Sequence, residues 1–267
     1  MFNSLRQLFR KGPKRPSAAV PAGERYYVVG DIHGRLDLFD ELVHAIRQDD
    51  LDAPDADTTI ILLGDLVDRG KDSAGVIARA RELQARRKVR ILAGNHEEMF
   101  LDSFSDVDVL RHFLKHGGRE TILSYGLDKR VYNKATLEEL QELMHQVVPQ
   151  RDIDFMRSFE EMIVIGDYIF AHAGINPVLP LEQQKRHDLL WIREPFLRHA
   201  EPHPGLVVHG HTIVDDIEEH SNRIAIDTGA FRTGRLTALV LEGDQRRYIQ
   251  TEIRDDIIVS NHRDNLG

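Results

Sequence analysis

Five short polar segments carry residues able to do chemistry. They are Gly30-Asp31-Ile32-His33-Gly34, Gly64-Asp65-Leu66-Val67-Asp68-Arg69-Gly70, Gly94-Asn95-His96-Glu97, His172-Ala173-Gly174 and His209-Gly210-His211-Thr212. Carboxylates, imidazoles and an amide form a donor set that suits Mn, Fe or Zn better than soft metals. Glycine beside such residues permits unusual backbone angles and lets a metal or a phosphate come close. One segment of this kind is an ordinary turn. Independent turns have no reason to end strand after strand with Asp, His and Asn.

The bulk composition narrows what such a donor set can serve. The chain has 267 residues, 41% of them hydrophobic, enough for one large α/β domain with a real core. Its formal charge is −9, with no basic run in its centre, which argues against a duplex nucleic-acid partner. Clustered carboxylates have another use, because bound cations can neutralise them. The chain has no cysteine, which excludes disulfides, thiolate zinc sites and cysteine nucleophiles and fits a reducing, cytoplasmic setting. It has 14 histidines. No apolar run approaches the roughly 20 residues that span a bilayer.

The elements that must position the polar segments follow from hydrophobic periodicity. Met1 to Arg10 places Phe2, Leu5, Leu8 and Phe9 at helical spacing, with Lys11, Lys14 and Arg15 following. It lacks the apolar stretch and cleavage site of a secretory signal. It reads either as a surface-binding helix or as a frayed terminus. Residues 12–24 carry three prolines and read as a linker, so that 1–24 form a tail. Strands are expected at 25–29, 58–63 and 89–92, alternating with helices at 36–48 and 74–87. That pattern predicts an α/β fold with parallel strands and a site along their carboxyl ends. From 98 to 158 the pattern becomes helical and reads as an insertion over the site. Further strands are expected at 162–165, 168–171, 206–208, 223–226, 236–241 and 248–253, the late ones antiparallel. The catalytic domain would thus cover 25–254, with 255–267 as a second tail.

The five segments together resemble the calcineurin-like metallophosphoesterases, and within them the phosphoprotein phosphatase family, especially its bacterial and phage members. The resemblance spans about residues 25–242 and rests on GDxHG, GDxVDRG, GNHE, HAG and GHT in that order. It implies a β-sandwich flanked by helices and a pair of divalent metal ions, manganese first, with iron or zinc as alternatives. Asp31 and His33 would bind one metal and Asn95, His172 and His211 the other, with Asp65 bridging the two. A bridging carboxylate suits cations about 3.5–4 Å apart, because it cancels part of their repulsion. His209 would support a ligand from behind or be structural.

By the same resemblance, His96 is the proton donor. Asp68 orients it and raises its basicity, and Arg69 forks onto phosphate oxygens. Arg193 would be a second phosphate-binding arginine, or else a surface ion-pair partner. The segments Gly117-Gly118-Arg119-Glu120-Thr121 and Ser124-Tyr125-Gly126 also look like bacterial members, with no chemistry attached. One departure is Ala93, where many protein phosphatases carry arginine before GNHE. The implied activity is hydrolysis of phosphate monoesters, in phosphorylated proteins or small esters. A symmetrical diadenosine tetraphosphate hydrolase is the competing substrate reading. An inactive partner-binding scaffold would have lost ligands, whereas here every ligand position and His96 carry the expected residue.

Overall fold

The structure, a computed structural model, describes residues 17–264. The expected helix at Met1 to Arg10 lies outside the described residues. Strand β1 (Glu24–Val29) is buried from its second residue onward, as a parallel strand covered on both faces must be. It pairs in parallel with β2 (Asp57–Leu62), which pairs in parallel with β3 (Val89–Ile91). The connections run through α1 (Leu36–Asp52) and α2 (Ser73–Arg86). Helix α1 buries Leu38, Phe39, Leu42, Val43 and Ile46, the stripe that a helical period turns toward a sheet.

The helical insertion follows as α3 (Asn95–Asp102), α4 (Val107–Phe113), a π-helical turn (Leu114–Gly118), α5 (Arg119–Ser124), α6 (Lys129–Tyr132), α7 (Leu137–Val147) and α8 (Gln150–Arg157). The second half contains β4 (Met162–Ile165), β5 (Tyr168–Ala171), α9 (Arg186–Trp191), α10 (Glu194–Leu197), β6 (Leu206–His209), β7 (Glu218–Glu219) and β8 (Arg223–Ala225). It ends with α11 (Ala230–Thr233), β9 (Arg235–Glu242), β10 (Gln245–Arg254) and β11 (Ile257–Asp264).

Two sheets result, ordered β11-β10-β9-β1-β2-β3 and β4-β5-β6-β8-β7. Alternation along β1 divides the core. Tyr26 and Val28 join Ile61, Leu63, Phe170, Val208 and Ile224 in the layer between the sheets. Tyr27 and Val29 join α1, α2 and the insertion on the other face. This is the α/β sandwich flanked by helices that the resemblance implies.

Three features differ from expectation. The late strands are not all antiparallel. β5 and β6 are parallel because the long connection carrying α9 and α10 returns the chain in the same direction, and β6 and β8 are parallel because the chain comes back through β7, which pairs antiparallel with β8. Residues 255–267 do not form a tail throughout. Asp255 and Asp256, at φ 48° and 62°, turn the chain back, and β11 adds to β10 from Ile257 onward. The linker is also partly fixed. Val20 is buried and donates its N–H to the carbonyl of Gly243 at 2.9 Å, and Ala19 N–H donates to Asp167 Oδ2 at 3.0 Å.

Candidate metal centre

The carboxyl ends of β1, β2, β3, β5 and β6 meet at one edge of the sandwich, and each delivers one polar segment there. Asp31 follows β1, and its Oδ2 accepts the N–H of His211, which follows β6 in the other sheet, at 3.0 Å. His33 Nδ1–H donates to the carbonyl of Val67 at 2.8 Å, and His172 Nδ1–H donates to that of Leu63 at 2.8 Å. A carbonyl on Nδ1 fixes the tautomer and turns the Nε2 lone pair inward, the arrangement a metal-ligating histidine needs. Asn95 Oδ1 lies 3.1 Å from His172 Nε2 and 2.8 Å from His211 Nδ1.

Asp65 stands between two donor groups. Its Oδ2 is 3.5 Å from His33 Nε2, and its Oδ1 is 3.4 Å from His172 Nε2. It belongs both to the cluster of His33, Asp65 and His96 and to that of Asp65, His172 and His211. Burial opposes ionisation of Asp65, yet the surrounding histidines, His172 foremost, hold its pKa well below the usual carboxylate value.

The residues present fit a cation pair. Asp31 Oδ1 and His211 Nε2 are buried without a hydrogen-bond partner among the described residues. Such orphaned atoms are costly unless something coordinates them. Burial pulls His33 well below its ordinary value and His211 to about 2, so both imidazoles stay neutral, the form that ligates. In His172 burial is outweighed by the adjoining Asp65, which raises the pKa until a cation takes the place of that proton.

The loops carrying these donors are strained. Five of the seven described non-glycine residues with positive φ are His33, Asp65, Asp68, Arg69 and His211. Each such residue costs about 1–3 kcal/mol and persists only where its surroundings over-determine it. Two glycines show how close the packing is. A Cβ at Gly94 would collide with Asp65 Oδ1, and one at Gly210 with Asp31 Oδ1.

His96 opens α3. Its N–H donates to Asp65 Oδ1 at 3.0 Å, and its Nδ1–H donates to Asp68 Oδ2 at 2.6 Å. Arg69 spreads its guanidinium between His33 Nε2 and His96 Nε2, donating to each at 2.9 Å, and lies 4.7 Å above the ring centroid of Phe231. One expectation is corrected here. Burial, only partly offset by Asp65, pulls His96 down to about 4, and burial raises Asp68 well above its ordinary value. Asp68 therefore fixes the tautomer, but the dry surroundings outweigh any gain in basicity. Arg193 opens α10, makes no side-chain hydrogen bond or ion pair among the described residues, and its charge reaches His211. The side chain of Ala93 is buried in the core. His209 Nδ1 donates to the carbonyl of Gly210 at 3.0 Å, and His209 belongs to neither donor cluster.

The sequence reading missed two carboxylates. Glu97, 1% exposed, accepts four backbone N–H groups: those of Gly94, Asp65, Leu66 and Val67, at 2.9, 2.9, 2.7 and 3.2 Å. It ties the Asp65 loop to the Asn95 loop. Asp227 follows β8 at the same edge, buried beside Asp31, and burial raises it to about 6. Its signal was available, since Ile226-Asp227-Thr228-Gly229 repeats the pattern of a strand followed by Asp and Gly. A cavity of about 470 Å³ adjoins the site, lined by Glu98, Met99, Asp102, His112, His187 and Trp191 among others. The Trp191 ring lies 6.4 Å from that of His211.

Known proteins are similar to this chain in sequence and fold. The chain is 30% identical over 216 residues to serine/threonine-protein phosphatase 1 of Salmonella typhimurium, covering 79% of this chain and 89% of that one. It is 26% identical over 237 residues to an asymmetrical bis(5'-nucleosyl)-tetraphosphatase of Anoxybacillus flavithermus, covering 80% and 89%. Among solved structures, one described as a putative diadenosine tetraphosphatase superposes with a TM-score of 0.60 at 21% identity, covering 94% of this chain and all of that one. A cold-active protein-tyrosine phosphatase of a psychrophilic Shewanella shares the fold at a TM-score of 0.54 and 18% identity, covering 92% and 82%. The sequence model of the calcineurin-like phosphoesterases matches residues 24–241. With a family match over most of its length, the chain belongs to the calcineurin-like phosphoesterases, metal-dependent hydrolases of phosphate esters.

Proposed function

We propose that this enzyme hydrolyses phosphate monoesters, in phosphoserine or phosphothreonine or in small esters, with a pair of Mn²⁺ ions held by Asp31, His33, Asp65, Asn95, His172 and His211. The observation that carries the reading is the buried contact of 2.6 Å between His96 Nδ1 and Asp68 Oδ2. The cations, when bound, supply Lewis-acid polarisation of the phosphoryl oxygens and water of lowered pKa.

The chain's own residues do the rest. Arg69 presents a planar fork that matches two phosphate oxygens once it exchanges His33 Nε2 and His96 Nε2 for them, and its Cζ lies 4.7 Å from the Phe231 ring centroid. Arg193, free of protein partners among the described residues, brings a second positive charge to the same edge. Asp68 occupies Nδ1 of His96, so Nε2 is the atom that carries the proton to the leaving oxygen. A phosphate dianion beside His96 favours its charged form and opposes the lowering by burial. An alkoxide leaves poorly, and a monoesterase therefore gains from an acid held in one orientation.

The second reading is hydrolysis of a dinucleoside polyphosphate, which the name of the Anoxybacillus relative supports. One observation favours it: the rings of Trp191 and His187 stack at 6.3 Å and 22° beside the site, an apolar wall against which a base could lie. The relative is named an asymmetrical enzyme, not a symmetrical one.

Direct competition at matched pH and Mn²⁺ decides between the two. A phosphoserine or phosphothreonine peptide should exceed diadenosine tetraphosphate in kcat/KM. A clear preference for the nucleotide moves the chain to the second reading, and no hydrolysis of either, or of a small aryl phosphate, by metal-loaded enzyme removes both.

A further inference from the structure

We propose that residues 117–121, at the junction of the π-helical turn and α5, form a clamp that positions Asp68 and Arg69, with Thr121 as the positioning residue of the His96–Asp68 pair. The inference rests on the proton-transfer role proposed for His96.

Asp68 and Arg69 adopt consecutive left-handed conformations, at φ 73° and 68°. Neither is glycine, and such a pair does not persist without outside restraint. Residues 117–121 supply it. Thr121 Oγ1 accepts the N–H of Asp68 at 2.8 Å and donates to Asp68 Oδ1 at 2.6 Å. That contact uses the single hydroxyl proton of Thr121. With Asp68 as a carboxylate, Ser73 Oγ, 2.9 Å from Thr121 Oγ1, is the donor in their contact, and it also accepts the N–H of Asp68 at 3.0 Å. The order of donors is therefore fixed. It runs from Ser73 to Thr121 to Asp68 Oδ1, leaving Oδ2 for His96. Ser73, Asp68 and Thr121 are fully buried, so bulk water cannot replace either hydroxyl.

The second arm of the clamp holds the phosphate arginine. The carbonyl of Gly117 accepts the N–H of Arg69 at 3.1 Å. Gly117 sits at φ 106°, and a Cβ there would stand 2.7 Å from Arg69 N and from its Cγ. The insertion therefore reaches into the reaction through two contacts of different kinds. One touches the carboxylate that orients the acid. The other touches the backbone of the residue that binds phosphate.

Steady-state kinetics of the Mn²⁺-loaded full chain, on monoesters graded by leaving-group pKa, test both arms. Thr121→Val should lower kcat on alkyl phosphates by about 10–100-fold, the usual cost of losing an orienting partner. The loss should be smaller on aryl phosphates with acidic leaving groups, KM should change little, and Thr121→Ser should recover most of the rate. In a His96→Asn background, Thr121→Val should add less than about twofold, because a residue acting through His96 has nothing left to orient. Gly117→Ala should raise KM, and the inhibition constant of inorganic phosphate, more than it lowers kcat.

An equal loss on every ester, additive with His96→Asn, would make Thr121 a general structural residue and overturn the proposal. If Thr121→Val does not fold, Ser73→Ala should show the same leaving-group signature at smaller size, and a uniform loss there is equally fatal. If His96→Asn itself shows no leaving-group dependence, the proton-transfer reading fails and takes the role of Thr121 with it. Inhibition of Gly117→Ala by inorganic phosphate then decides the Arg69 arm alone, and an unchanged constant overturns it.

Discussion

Oδ2 of Asp68 stands 2.6 Å from Nδ1 of His96, and neither side chain is more than 2% exposed. Occupying Nδ1 leaves Nε2 as the working nitrogen. His96→Asn should therefore lower kcat on alkyl phosphates by about 10²–10⁴-fold, the range of general acid catalysis. The loss should shrink on aryl phosphates, whose leaving groups need less protonation. Metal content measured on the same preparation is the control. His96 also belongs to the donor cluster of His33 and Asp65, and loss of metal in the variant would make it a ligand.

Asp65 lies between both donor clusters and tests the pair as a unit. Chelation should abolish hydrolysis and Mn²⁺ should restore it. Asp65→Asn should hold fewer than two metals per chain by elemental analysis, because an amide oxygen bridges cations less well than a carboxylate. A variant that keeps both metals and full rate would end the bridging assignment. Full activity in a verified metal-free preparation would end the mechanism.

That Asp31, His33, Asp65, Asn95, His172 and His211 meet at one edge was legible because chain order encodes their position. Each sits where an apolar run stops at a polar segment, and parallel strands bring such ends to one edge. Glu97 was visible as a letter but not as a role. It works by accepting N–H groups from a loop some thirty residues earlier, and no periodicity records that. Thr121 was hidden for the same reason, since a π-helical turn inside the insertion decides which way it faces. Asp255-Asp256 escaped notice because two aspartates in left-handed conformation make a tight turn that a glycine would have announced.

Glu97→Gln should destabilise the fold. The carboxylate faces four N–H donors, whereas a glutamine turns one of its two acceptors into another donor. A buried group left unsatisfied costs about 1–3 kcal/mol. Urea unfolding of the metal-free protein should show a lower midpoint at unchanged slope. A change within about 0.5 kcal/mol, the level of an ordinary surface substitution, would show that Glu97 does not hold the two loops.

Asp49 links stability to pH far from the metal centre. It accepts from Arg247 Nη2 at 2.7 Å and from the hydroxyl of Tyr27. Burial opposes its charge, but these partners win and its pKa is lowered. A depressed carboxylate contributes stability that is present above the unfolded value of about 3.9 and is lost as pH falls through the folded value. Asp49→Asn should therefore lower Tm at pH 7, and the gap from the parent should close as pH drops below about 4. A gap that stays constant across that range would assign the effect to packing.

The substrate reading makes a separable prediction through Asp68. In a monoester the leaving alkoxide is a strong base, so the transition state demands a proton delivered from a fixed direction. In a dinucleoside polyphosphate the leaving group is itself a phosphate of low pKa and departs with little help. Asp68→Asn keeps the size of the side chain but offers Nδ1 of His96 either an amide donor or a weaker acceptor, which releases the tautomer. Loss of an oriented partner of this kind costs about 10–100-fold. That loss should fall on a phosphoserine or phosphothreonine peptide and largely spare diadenosine tetraphosphate. Trp191→Ala should do the reverse if a base lies against its ring, since stacking contributes about 1–3 kcal/mol per base. Under the monoesterase reading Trp191→Ala changes the ratio of the two substrates little, whereas Asp68→Asn shifts it toward the nucleotide. Nucleotide hydrolysis that is the faster reaction, undiminished by Asp68→Asn and lost in Trp191→Ala, would establish the dinucleoside polyphosphate as the substrate.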